Sequence, residues 1–168
     1  MELKNNRIFE SDQGKIAYLR ERGFGALVSP SLLRLSPCEV LYLCKKTGEK
    51  IFRNKKSMGL AALLHHLSKN DKFLKMRFAC FEHLRAGGRI CREHFLPSQY
   101  MRVYSRGIGR EDERAQTLLR VCEKNWKATR ESLERDISVA HFMRKELVLA
   151  FVQGSSISYV KLSKINFD

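Results

Sequence analysis

Residues 71–91, "DKFLKMRFACFEHLRAGGRIC", decide how this chain is divided. Leu74, Phe78, Phe81 and Leu84 recur at spacings of four, three and three, which lines them up along one side of a helix. Gly87 and Gly88 end the pattern, as glycine does where a chain leaves a helix through left-handed dihedrals. Before this segment the sequence is mostly helical in texture, and after it the texture is that of strands. The segment is therefore read as the connection between two small α/β domains, expected at 1–87 and 88–168, in a chain of the α+β class.

Upstream, "KIAYLRERGFG" (15–25) sets Ile16 and Leu19 on one face and ends in glycines, which predicts a short helix followed by a turn. The best-marked helix start lies in "LSPCEVLYLCKK" (35–46): Ser36 as N-cap, Pro37 in the first helical position, and Glu39 completing a capping box. "GEKIF" (48–52) reads as a strand and "SMGLAALLHHLSK" (57–69) as a further helix.

Downstream, strands are expected at "RICREHF" (89–95), "YMRVY" (100–104), "TLLRVC" (117–122), "ELVLAFV" (146–152) and "ISYVKLSKINF" (157–167). "QGSS" makes a hairpin of the last two. The run "LVLAFV" is apolar on both faces and belongs in the middle of a sheet. Between the third and fourth strands, "NWKATRESLERDISVAHFMRK" becomes helical in its C-terminal half. The second domain is thus a mixed sheet with a helix.

Thirty-two Lys and Arg against 18 Asp and Glu leave a net charge of +14. Such an imbalance favours a polyanionic partner, nucleic acid first and an acidic protein second. Five cysteines, with no CxxC pair, read as small buried hydrophobes in a reducing compartment, and neither a disulfide frame nor a metal site is expected. No stretch approaches the apolar length that spans a bilayer. A cytoplasmic protein without a membrane role is expected. The basic cluster Lys45, Lys46, Lys50, Arg53, Lys55 and Lys56 is a candidate RNA-backbone surface, a solvated lysine-rich face being the other reading.

Three stretches, in order along nearly the whole chain, resemble the tRNA splicing endonuclease (tRNA-intron lyase) family of archaeal type: "LRLSPCEVLYLCKKTGEKIF" (33–52), "FLKMRFACFEHLRAGGRIC" (73–91), and "SVAHFMRKELVLAFV" with "ISYVKLSKI" (138–152 and 157–165). The resemblance implies a C-terminal nuclease-like domain and assembly into a tetramer. It also implies cofactor- and metal-free cleavage of precursor tRNA at bulge-helix-bulge intron boundaries, leaving 2′,3′-cyclic phosphate and 5′-hydroxyl ends. In that family a tyrosine is the base for the ribose 2′-hydroxyl, a histidine the acid for the leaving oxygen, and a lysine the cation over the phosphate. Metal-free phosphoryl chemistry needs those three functions.

Matched to this sequence, "MRVY" supplies Tyr104 and "MRKELVL" supplies Lys145, but the histidine slot in "ERAQTLL" holds Arg114. An arginine keeps its proton near neutrality and cannot act as a general acid, though it can bind phosphate. His141, four residues before Lys145, is the other histidine near a matched motif, and it reads as a helix-face residue. His94 reads as a strand-edge residue.

Tyr104 and Lys145 are therefore expected to be vestigial in a structural subunit that pairs with a catalytic one, in a heterotetramer joined through C-terminal strands. The family's usually acidic loop between the last two strands here reads "VQGSSIS", which suits a subunit offering a basic groove instead. Two other readings stand beside this one. In the first, the chain cuts with Tyr104, Lys145 and a non-histidine acid. In the second, it is a non-cleaving RNA-binding module on the same fold.

Overall fold

The computed structural model describes residues 1–4, 7–94, 98–104, 116–123, 125–154 and 156–164. Its contacts separate the chain into Met1–Phe78 and Ala79–Asp168. This division falls within a helix, whereas the sequence reading places the boundary after it, at 87.

The first unit is built on a six-stranded sheet in the order β3-β4-β2-β1-β5-β6. Its strands are β1 (Glu2–Lys4), β2 (Arg7–Glu10), β3 (Ala26–Ser29), β4 (Leu32–Leu35), β5 (Ile51–Arg53) and β6 (Lys56–Met58). Neighbours run antiparallel except β1 and β5, which are parallel. The helices are α1 (Gln13–Glu21), α2 (Pro37–Thr47) and α3 (Leu60–Ser68). Four of these strands, β1 to β4, are absent from the sequence reading, which has only a turn after residue 25. β1, β2 and β4 carry only one or two buried apolar residues each, Leu3, Ile8, Leu33 and Leu35, and β3 carries none. So short an alternation becomes a strand only when a neighbour completes its hydrogen bonds. The segment expected to be helical from 57 instead begins with β6, because Asn54 and Lys55, both at positive φ, turn the chain back onto β5.

The capping box of α2 is present as read. Glu39 is buried, and its Oε2 accepts from the Ser36 backbone N–H at 2.7 Å. Its other oxygen does something the sequence did not show: it accepts from the Gly25 N–H at 2.8 Å. Gly25 sits at φ 70°, where a Cβ would come within 2.7 Å of Leu33, so both dihedral and space require glycine.

Helix α4 (Leu74–Ala86) ends as expected, with Gly88 at φ 73° and the Arg89 N–H bonded to the Leu84 carbonyl at 3.0 Å. At its start Arg77 is fully buried, and its guanidinium grips Asp71 through two hydrogen bonds of 3.0 and 2.5 Å. The second unit carries a sheet in the order β11-β10-β9-β8-β7, from β7 (Cys91–Glu93), β8 (Tyr100–Val103), β9 (Thr117–Cys122), β10 (Glu146–Gln153) and β11 (Ser156–Leu162). Strands β9 and β10 are parallel, so the chain must cross between them, and it does so through α5 (Arg130–Phe142). Leu118, Leu147 and Ala140 form the core under that helix, with Tyr100, Ile137, Met143 and Leu162 against it. All five cysteines are free thiols, and burial raises Cys80 to about 12 and Cys122 to about 11, which leaves them unreactive. No helix among the described residues is long and apolar enough to cross a membrane.

Replacing Asp71 by Ala strands the buried Arg77 charge. Denaturant unfolding is expected to show a loss of about 3–5 kcal/mol, much of it recovered in the double variant Asp71→Ala with Arg77→Met.

Candidate functional site

The register of the second sheet sets the site. Arg92 on β7 faces Arg102 on β8, Arg102 faces Leu118 on β9, and Leu118 faces Leu147 on β10. Because Leu118 and Leu147 pack under α5, the two arginines at the outer end of the row lie on the α5 side of the sheet.

Tyr104 follows Arg102 by two residues and so shares that side. Its backbone N–H bonds to the Ile90 carbonyl at 2.9 Å, its side chain is only 4 % exposed, and the Arg92 guanidinium stands 5.6 Å from its ring centre. Lys145, two residues before Leu147, enters from the other end of the row and is partly buried. The helix end positions it: Arg144 is at φ 53°, its N–H bonds to the His141 carbonyl at 2.8 Å, and the Lys145 N–H bonds to the Ala140 carbonyl at 2.8 Å. This is the glycine-type helix ending made with an arginine in the left-handed position. The next N–H, that of Glu146, is already bonded to the Gln116 carbonyl at 2.8 Å, so Lys145 is pinned between helix and strand.

The local field is positive. Partial burial, and then the charge of Arg102, lower the pKa of Lys145. His94, whose N–H bonds to the Tyr100 carbonyl at 3.2 Å, has its pKa lowered by burial first and then by Arg102 and Lys145. The site thus gathers a phenol, two arginines, a lysine and an imidazole whose protonated form is disfavoured by burial and by the neighbouring cations. It can bind an anion.

Of the residues read from sequence, Tyr104 and Lys145 are brought to one side of one sheet. Arg114 lies outside the described residues. His141 is exposed on the last turn of α5, where the buried positions are Asp136 and Ala140. The six cations of the basic cluster are all exposed and belong to the first unit. Lys45 and Lys46 lie on the last turn of α2, Lys50 just before β5, Arg53 and Lys56 face each other across the β5–β6 hairpin, and Lys55 is in its turn. Arg92 had no signal of its own in the sequence, since only strand pairing places it opposite Arg102. His94 was visible only as a strand-edge residue.

Residues 1–64 match the family model for the N-terminal domain of tRNA intron endonuclease, and residues 74–159 match the model for its catalytic C-terminal domain. The chain belongs to the tRNA intron endonuclease family. It is 31% identical over 161 residues to a tRNA-splicing endonuclease of Methanococcus vannielii, covering 94% of this chain and 89% of that one. It is 27% identical over 167 residues to the tRNA-splicing endonuclease of Thermococcus gammatolerans, covering 98% and 97%. Membership of this family is consistent with a part in tRNA intron removal.

Three outcomes follow from the site's geometry. In an NMR titration of the imidazole signals, His94 is expected to titrate below 6.5, and Arg102→Gln to move it upward by removing a neighbouring cation. A histidine protonated more readily in the unfolded chain costs stability as pH falls below 6.5, so acid unfolding should be milder in His94→Gln than in the unaltered chain. Arg144→Gly is expected to keep or raise stability by up to about 1 kcal/mol, because glycine accepts the left-handed dihedral, while Arg144→Val lowers it. Thermal unfolding reads both.

Proposed function

We propose that this chain is the structural subunit of a heteromeric tRNA splicing endonuclease, pairing with a catalytic subunit that carries the full tyrosine, histidine and lysine set. The observation that carries this reading is Arg114 in the slot that matches the family's histidine. The lowered pKa of His94 supports it, because burial and the charges of Arg102 and Lys145 disfavour the protonated form that a general acid needs. Tyr104 and Lys145 then remain as parts of a site that holds its shape without completing the reaction.

Pairing is supported by β11. It is the outer strand of its sheet, and its alternating burial leaves Val160 46 % exposed. An edge of this kind offers backbone groups to a second strand, which suits joining through C-terminal strands in a heterotetramer. The exposed cluster Lys45, Lys46, Lys50, Arg53, Lys55 and Lys56 supplies positive surface for precursor tRNA.

The test is cleavage of a bulge-helix-bulge RNA. The purified chain alone is expected to leave the RNA intact, and mixing with a histidine-bearing paralogue should give 2′,3′-cyclic phosphate ends. In that mixture Tyr104→Phe in this chain should change the rate less than about twofold. Cleavage by the lone chain, abolished by Tyr104→Phe, would make this the cutting subunit instead. A failure to cleave with every such paralogue would favour a non-cleaving RNA-binding module.

A further inference from the structure

We propose that the outer face of the first unit's sheet is a stacking platform for unpaired RNA bases, with Phe9 and Phe52 as its two rings. The identity of the occupant rests on the reading of this chain as an RNA-binding member of its family; the platform itself rests on strand register and exposure.

One row of side chains crosses all six strands. Ala26 on β3 faces Arg34 on β4, Arg34 faces Phe9 on β2, Phe9 faces Glu2 on β1, Glu2 faces Phe52 on β5, and Phe52 faces Ser57 on β6. Residues directly opposite one another project to the same side of a sheet, so the row shares one face. The buried residues Leu3, Ile8, Leu35 and Ile51 alternate with members of the row and project to the other face, where the core of this unit lies. A sheet with one buried face ordinarily turns polar residues outward. Arg34, Glu2 and Ser57 follow that pattern and are exposed, but Phe9 is only partly buried and Phe52 is 41 % exposed. Two phenylalanines on the open face mark it as a surface for a ligand.

The face carries a cleft of about 600 Å³, whose lining includes Glu2, Phe9, Leu32, Phe52 and Lys55. Clefts of roughly 300–1,000 Å³ hold small ligands. Strands stand about 4.8 Å apart, which sets the two rings, with β1 between them, roughly 10 Å apart. Stacked rings lie about 4.5–7 Å apart, so these two do not cover each other and each offers a face to a planar ligand. Aromatic side chains spread over a sheet surface stack the splayed bases of single-stranded RNA. Glu2, between the rings, accepts hydrogen bonds from base amino groups and repels phosphate. The RNA backbone is thereby left to Arg34, next to Phe9 in the row, and to Lys55 at the cleft. An apolar face also suits a protein partner, but the net charge of +14 favours a polyanion that carries aromatic groups. Tyr104, Arg114 and Lys145, the positions matched to the family's reacting side chains, belong to the second unit, whereas both rings belong to the first.

The full-length chain is titrated, following fluorescence anisotropy, with a single-stranded RNA of about 12 nucleotides and with an abasic strand of the same length. Phe52→Ala is expected to weaken binding of the RNA by about five- to tenfold and to leave the slope of log affinity against log salt unaltered, because no phosphate contact is lost. Phe52→Tyr should keep the affinity within about twofold, since the ring remains. The abasic strand should bind the unaltered chain and Phe52→Ala alike. Val28→Ala, which trims an exposed apolar side chain on β3, should leave RNA binding unchanged.

A folded Phe52→Ala with unaltered affinity for the RNA would overturn the platform. So would an equal loss toward the abasic strand, because the ring would then act on something other than bases. Unaltered RNA binding with lost association to the catalytic subunit assigns the face to a protein and overturns the platform as well. Should Phe52→Ala fail to fold, adding the RNA to the unaltered chain is expected to shift the Phe9 and Phe52 ring signals in an aromatic NMR spectrum, and unmoved signals overturn the platform equally. Cleavage is not read here, so self-cleavage by this chain would defeat the structural-subunit reading without touching this result.

Discussion

The second unit depends on one buried carboxylate. Asp136, 3 % exposed on the underside of α5, accepts a hydrogen bond from the Tyr100 hydroxyl on β8 and pairs with Arg120 on β9. Three elements that are remote in sequence are thereby held to one point. The guanidinium of Arg120 is further enclosed by Trp126, whose ring centre lies 4.8 Å away and which packs in turn on Phe151 of β10. A buried ion pair gives little net stability over a well-packed apolar substitute, because both charges lose their water. It does give direction, since few other positions of α5 would satisfy both partners. That direction matters because α5 is the crossover between the parallel strands β9 and β10, and the chain leaving its last turn brings Lys145 to the α5 side of the sheet.

The first unit uses the same device at different joints. Glu39 closes the start of α2 and reaches Gly25 before β3, tying a helix cap to a strand 14 residues away. Arg77 and Asp71 fix the approach to α4. In each case a charged group is buried where the chain changes direction, and the apolar core fills around it. Buried backbone N–H groups require acceptors, and a carboxylate with two oxygens can serve two of them.

Two groups of cations differ physically. Those of the α2 end and the β5–β6 hairpin are exposed. Arg92, Arg102 and Lys145 are partly buried and held by strand register or a helix end, so their field is fixed in direction. Fixed cations suit positioning, while hydrated ones suit capture. Charge stabilisation alone does not break a phosphodiester bond, because a proton must still reach the leaving oxygen.

The sequence by itself determined the helices with chemical boundaries: Ser36, Pro37 and Glu39 for α2, and the four apolar residues with Gly87 and Gly88 for α4. It determined the strands β8, β9 and β10. These features are local, so the residues that cause them are neighbours in the chain. Only the tertiary structure decided β1 to β4, whose few inward residues mean nothing until a partner strand supplies hydrogen bonds. It alone decided that Glu39 serves Gly25, that Asp136 serves Tyr100 and Arg120, and that Arg92 stands against Arg102. The physical reason is the same in each case: hydrogen bonds and charges act over ångströms in space, and pairs separated by up to 36 positions in sequence leave no periodic trace.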